Sequence, residues 1–157
     1  MKKHLFSGVA VLVAVLGAPA IAADAEINEA WEGHKADDVC FAITFPEAER
    51  PGGDRYVTVS NRFEEGVEDE IAVVSGFGEE ANIEGTIRID EELPFQLLVY
   101  KGTGFLKTEE LEEKAVQQMK AGRELEVKWT KPDGTYVFDE YSLYGMTASR
   151  AFANECD

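Results

Sequence analysis

Apolar and polar residues alternate with a period of two along most of the chain after residue 38, the pattern of strands that bury one face. Val39, Phe41, Ile43 and Phe45 alternate with Cys40, Ala42 and Thr44, and a loop over residues 46–54, centred on Pro51-Gly52-Gly53, ends that strand. Residues 55–61 and 71–75 resume the pattern on either side of an acidic connection, Glu64, Glu65, Glu68, Asp69 and Glu70. Ile83, Ile87 and Ile89 share one face, and Phe95, Leu97 and Val99 share another. Leu98 and Tyr100 are apolar on the opposite side of that strand, which predicts cover on both faces. Leu125, Val127 and Trp129 alternate with Glu124, Glu126, Lys128 and Thr130. Lys131-Pro132-Asp133-Gly134 then predicts a hairpin turn into residues 135–143, because proline presets φ and glycine accepts the left-handed position. In that last strand Tyr136 and Phe138 set one alternation and Tyr141 and Leu143 the opposite one. Both pairs face inward only with a β-bulge near Asp139 and Glu140; otherwise one pair is exposed.

One helix interrupts the strands. Thr108 caps its start, Glu109 and Glu110 suit the positive end of its dipole, and Gly122 ends it. Leu111, Ala115 and Met119 form its apolar stripe, which predicts that the helix covers Leu98 and Tyr100. A second, short helix starts near Thr147 and carries Ala148, Phe152 and Cys156 on one face. Phe41, Phe45, Phe95, Trp129 and Phe138 are the expected aromatic core. Seven to eight short antiparallel strands with one inserted helix and a short C-terminal helix predict an all-β, two-sheet sandwich.

The beginning of the chain reads differently. Lys2, Lys3 and His4 precede an almost unbroken apolar run over residues 5–16, and Ala20 and Ala22 have the small-residue spacing of a signal-peptidase site. Residues 1–22 are thus an expected secretory signal, cut between Ala22 and Ala23, with residues 23–157 as a single domain. The apolar run is shorter than the ~20 residues a spanning helix requires. In an exported protein the two cysteines, Cys40 and Cys156, are expected to form one disulfide, with the last helix stapled to the outer side of the sheet.

The leader holds two of the 15 basic residues and none of the 31 acidic ones, so the remaining 135 residues carry 13 positive and 31 negative charges, a balance of −18. This argues against nucleic acid as a partner, since phosphate recognition requires a basic patch. His34 is the only histidine after the leader, and no G-x-S-x-G elbow accompanies it. His34 with Asp37 and Asp38 matches no zinc spacing, and Glu64 to Glu70 lacks the alternating ligands and central glycine of a calcium loop. Gly52-Gly53, Gly76-Phe77-Gly78 and Gly102-Thr103-Gly104 read as turns, not phosphate cradles. No catalytic residue, cofactor site or metal site is therefore expected. A hydrolase using paired carboxylates and a calcium-dependent binding module are the alternatives to a binding protein.

Several blocks in order resemble the invasion-associated locus B proteins, exported envelope proteins of Gram-negative bacteria. These are Trp31; Val-Cys-Phe-Ala-Ile at 39–43; Val59-Ser60-Asn61-Arg62; Glu65-Gly66-Val67; and Glu70-Ile71-Ala72-Val73. Met119-Lys120-Ala121-Gly122, Asp139-Glu140-Tyr141-Ser142-Leu143-Tyr144-Gly145 and Asn154-Glu155-Cys156 complete the series. The resemblance implies an immunoglobulin-like sandwich, a periplasmic or surface-associated location, no established catalytic residues, and a protein or envelope component as partner. Gly76-Phe77-Gly78, Tyr144 and Met146 depart from the family's pattern.

Overall fold

The computed structural model describes residues 25–36 and 39–155. The expected signal and its cut between Ala22 and Ala23, Asp37, Asp38 and Cys156 lie outside these residues. Among the described residues the protein is β-rich, with ten strands in one antiparallel sheet and two α-helices. The strands are β1 (Ala25–Asn28), β2 (Trp31–Lys35), β3 (Cys40–Thr44), β4 (Tyr56–Arg62), β5 (Val67–Val74), β6 (Glu84–Ile89), β7 (Phe95–Tyr100), β8 (Thr103–Phe105), β9 (Glu124–Thr130) and β10 (Tyr136–Ser142). Their order across the sheet is β1-β2-β3-β4-β5-β8-β7-β6-β9-β10. β7 serves two neighbours: Phe95 to Leu97 pair with β6, and Leu98 to Tyr100 pair with β8.

Most strands bury one side, whereas β1 buries no residue. Ala42, Val57, Val59, Ile71, Val73, Ile87, Leu125, Val127 and Trp129 are fully enclosed and belong to one core cluster. α1 (Glu109–Ala121) adds Ala115, Val116 and Met119 to that core, with Leu111 packed beside them. Its start follows from chemistry: the Thr108 hydroxyl accepts from the Leu111 amide, and three acids occupy the first turn. α2 (Met146–Ala153) buries Met146, Ser149 and Ala153.

The two ends of the sheet meet. The Trp31 indole donates to the Ser142 carbonyl at 2.9 Å, the Ala30 amide to the Tyr144 carbonyl at 3.2 Å, and the Glu47 amide to the Glu140 carbonyl at 2.8 Å. Hydrogen bonds from the segment around β2 and the loop after β3 thus reach β10, so the sheet curls and its inner side holds the core.

Several expectations require correction. Ten strands form, because residues 25–28, 31–35 and 103–105 also pair. β10 pairs with β9 in unbroken register, so no bulge lies near Asp139 and Glu140; the shift in register falls between Ser60 and Arg62. Tyr136 and Phe138 are exposed while Tyr141 and Leu143 are buried. Of the expected aromatic core, Phe95 and Trp129 are buried, Phe41 is half-buried, and Phe45 and Phe138 are exposed. α1 packs against β5 and β6 and leaves Leu98 and Tyr100 exposed. α2 lies on the inner side of the sheet, where Gly33 leaves room for Phe152 and the Ser149 carbonyl. Its buried face is accordingly rotated from the expected one, and Ala148 is exposed.

Candidate functional site

Two constellations stand out, one buried and one exposed. The buried one begins with Asp139, an acid at an inward position of β10 whose side chain is 1% exposed. An isolated carboxylate there is costly, and two guanidiniums compensate it. Arg50 donates through Nε to Oδ1 at 2.9 Å and through Nη2 to Oδ2 at 3.0 Å; Arg55 donates through Nη1 to Oδ1. The carbonyls of Ser75 and Ala48 hold the other sides of the two guanidiniums, and Arg50 stacks on the Phe77 ring at 4.4 Å. The cluster fastens the loop after β3 onto β10. With both carboxylate oxygens engaged, Asp139 is an electrostatic anchor.

Tyr141, the next inward residue of β10, is fully buried, and its hydroxyl has no hydrogen-bond partner among the described residues. Burial pushes its pKa above the ordinary 10.0, and the Asp139 charge adds to this while Arg55 and Arg50 oppose it. The folded form therefore holds its proton at pH values where the unfolded chain releases it. Stability is complete below the unfolded tyrosine value of 10.0 and declines as pH rises from there toward the folded value, by about 1.4 kcal/mol per pH unit. Tyr141→Phe should remove that alkaline decline and raise stability at neutral pH by about 1 kcal/mol, because an unpartnered hydroxyl leaves the core. Urea unfolding at about pH 8 and about pH 11, either side of the 10.0 reference, measures both effects. An equal alkaline loss in the variant would refute the assignment.

The acidic connection is held by arginines. Arg62 pairs with Glu65 at 3.0 Å and Glu70 at 2.7 Å; the hydrogen bonds it donates to Glu70 raise the Arg62 pKa. Asp69 receives both Nε and Nη2 of Arg150, which ties α2 to β5. Glu64 and Glu68 complete the run without an ion pair among the described residues, and Glu64 is exposed. His34 lies 3.1 Å from Glu32 and stacks on Phe41 at 5.1 Å. Cys40 is buried on the inner side of β3, and its register partner is Asn61.

The exposed constellation is the outer face of the sheet. One register row runs through Ile43, Thr58, Ala72, Phe105 and Leu98, and the next through Tyr56, Val74, Thr103 and Tyr100. Phe45 extends the second row, with its ring edge-on to Tyr56 at 6.4 Å. At the far end of the sheet Tyr136 and Phe138 meet edge to face at 5.2 Å, with the Lys128 ammonium 4.6 Å from the Tyr136 ring. Phe45, Leu98, Tyr100, Tyr136 and Phe138 are between 46 and 67% exposed. Single exposed apolar residues are ordinary, and these five are spread along the outer side of the curled sheet from the end of β3 through β7 to β10; where exposed rings adjoin, as Tyr136 and Phe138 do, they form a candidate interaction surface. A groove of about 500 Å³ lies on this face between Thr86, Arg88, Gln96, Lys128 and Phe138. A more polar groove of about 1010 Å³ lies elsewhere, lined by Asp90, Glu91, Glu92, Arg123 and Tyr144 among others. The Asp90 carboxylate in it is taken by the amides of Arg123 and Glu124.

The alternation singles out Leu98, Tyr100, Tyr136 and Phe138 but points to helix cover for the first two, whereas all four are exposed on the outer side of the sheet. The Asp139 anchor was missed, although an acid in the inward alternation of a strand is the signal that points to it. Comparison with known proteins gives no match, whether to family models, curated proteins or solved structures.

Proposed function

We propose that this chain is a non-enzymatic, exported envelope protein, periplasmic or surface-associated, that binds a protein partner through the outer face of its sheet. The observation that carries the reading is the exposure of Phe45, Leu98, Tyr100, Tyr136 and Phe138, each between 46 and 67% exposed, on the outer side of the sheet, which neither helix among the described residues covers. The leader-like start over residues 1–22 and the resemblance to invasion-associated locus B proteins support export and an envelope role. In this reading the sheet bends at β7, which divides its pairing between β6 and β8, into the two layers of an immunoglobulin-like sandwich. One disulfide, Cys40 to Cys156, belongs to the same reading. The side-chain amides of Asn154 and Asn61 lie 2.6 Å apart, and Asn61 is the register partner of Cys40, so the segment leading to Cys156 is held beside β3.

The test compares the exported wild-type chain with the double variant Leu98→Glu/Tyr100→Glu in crosslinking capture from the native envelope. Both residues are exposed, so melting should be unchanged while the captured partner is lost by tenfold or more. Equal capture by the variant refutes the face. An intact mass that begins at Ala23 and lacks the two hydrogens of one bridge is the result expected for export.

A further inference from the structure

The last strand of the sheet is closed along only part of its free edge. In β10 the main-chain groups of even-numbered residues point away from β9: the Glu140 carbonyl accepts from Glu47, and the Tyr144 carbonyl beyond the strand accepts from Ala30. The Ser142 carbonyl accepts the Trp31 indole. The same parity turns the N–H and C=O of Tyr136 and Phe138 outward. Among the described residues these four groups have no partner. The opening is also the most aromatic stretch of the edge, with Tyr136 56% and Phe138 46% exposed. Unpaired donors and acceptors in strand spacing, flanked by apolar side chains, are what an added strand requires.

We infer that β10 accepts an extended segment of a partner protein by strand addition at Tyr136 and Phe138, a segment with apolar side chains at alternate positions and a basic flank. The inference rests on the binding reading above and names the kind of partner. Alternating side chains of the added strand fall on the Tyr136 and Phe138 rings, continuing the outer face by one strand. The basic flank follows from charge. Glu47 and Glu140 meet where the opening ends, and the chain carries −16. That charge also disfavours a second copy of this chain, which would bring like fields together.

The geometry supplies a selective test. Proline at Phe138 deletes an N–H that points to the free edge and leaves the ladder to β9 intact, because the odd residues make that ladder. Random twelve-residue peptides displayed on phage are selected on the chain starting at Ala23. Enriched peptides should alternate apolar residues, carry lysine or arginine at one end, and bind Phe138→Pro at least tenfold more weakly. Synthetic copies N-methylated at alternate residues should lose binding to the unaltered protein by the same factor, which requires no protein variant. Should Phe138→Pro fail to melt as wild type, Tyr136→Pro and the methylated peptides carry the test. Failure to enrich any peptide overturns the inference. So does enrichment of peptides indifferent both to the proline and to N-methylation, and so does concentration-dependent self-association that Phe138→Pro abolishes. Loss of envelope capture by Leu98→Glu/Tyr100→Glu with no strand-adding peptide would sink strand addition alone. Peptide binding that depends on the edge, with capture unaffected by the Leu98 and Tyr100 changes, would sink the face reading instead.

Discussion

Asp139→Ala is expected to destabilise the protein by about 3–5 kcal/mol, the cost of breaking a buried ion pair from one side. The loss comes from what stays behind more than from what is removed. Arg55 is 6% and Arg50 16% exposed at the side chain, so the variant leaves two guanidiniums buried without their counter-charge. Loop residues 47–55 should detach from β10, because the Glu47 amide bond to Glu140 and the Arg50 and Arg55 bonds all cross that junction. Unfolding in urea measures the cost, and amide exchange at Glu47 reports the detachment. The triple replacement Asp139→Leu, Arg50→Met and Arg55→Leu should recover most of the loss, since apolar residues of similar volume commonly replace a buried charge cluster without penalty. A single Asp139→Ala variant as stable as wild type would show the cluster to be solvated.

The same cluster marks where the sequence stops being readable. The alternation of β10 reads as contradictory because Tyr136 and Phe138 oppose Tyr141 and Leu143; the structure exposes the first pair and turns Asp139 inward, although acids ordinarily mark the wet side of a strand. Its resolution lies in Arg55 and Arg50, 84 and 89 positions earlier in the chain, and no local pattern connects them to Asp139. Elements governed by local chemistry were legible. α1 occupies residues 109–121 as expected, because its cap, its first-turn acids and its Ala115–Met119 spacing are all local. The hairpin at Lys131–Gly134 also forms as read, with the Gly134 amide bonded to the Lys131 carbonyl at 2.9 Å. β1 and β2 were not legible, because β1 buries no residue and the buried positions of β2, Trp31 and Gly33, show no apolar alternation. Gly33 is small since Phe152 of α2 packs directly over it, a demand set by tertiary contact. Which sheet face α1 covers was equally hidden, because Leu98 and Leu97 offer the helix similar area and only the strand order decides between them.

The alternation within β10 also separates the two constellations physically. Inward positions of β10 hold Asp139 and Tyr141, while outward positions of the same strand hold Tyr136 and Phe138. The arginine anchor fixes the strand from within, and the aromatic pair is presented from without. Binding at the edge therefore meets a backbone already held in register by β9 and by the loop after β3, which limits the ordering cost that a flexible recognition loop would carry.

Gly145→Ala is the second large expected loss, about 2–5 kcal/mol. Gly145 holds a left-handed φ of 90° where β10 passes into α2, and a side chain in that region costs about 1–2 kcal/mol. A Cβ would also fall inside the van der Waals envelope of the Asn28 carbonyl, a backbone atom that cannot rotate away, and such overpacking adds about 1–3 kcal/mol. To make room, the segment from Asn28 must shift, which strains the Ala30 amide bond to Tyr144 and the Trp31 indole bond to Ser142 that join the sheet ends. Gly134→Ala is the control. Gly134 has a similar φ of 84° but open space around its Cα, so it should lose only the conformational part, about 1–2 kcal/mol. Denaturation midpoints of the two variants separate crowding from backbone strain. Amide exchange at Ala30 should quicken in Gly145→Ala and stay unchanged in Gly134→Ala. Equal losses in the two variants would mean that the Asn28 contact yields freely and that the junction does not hold the sheet ends together.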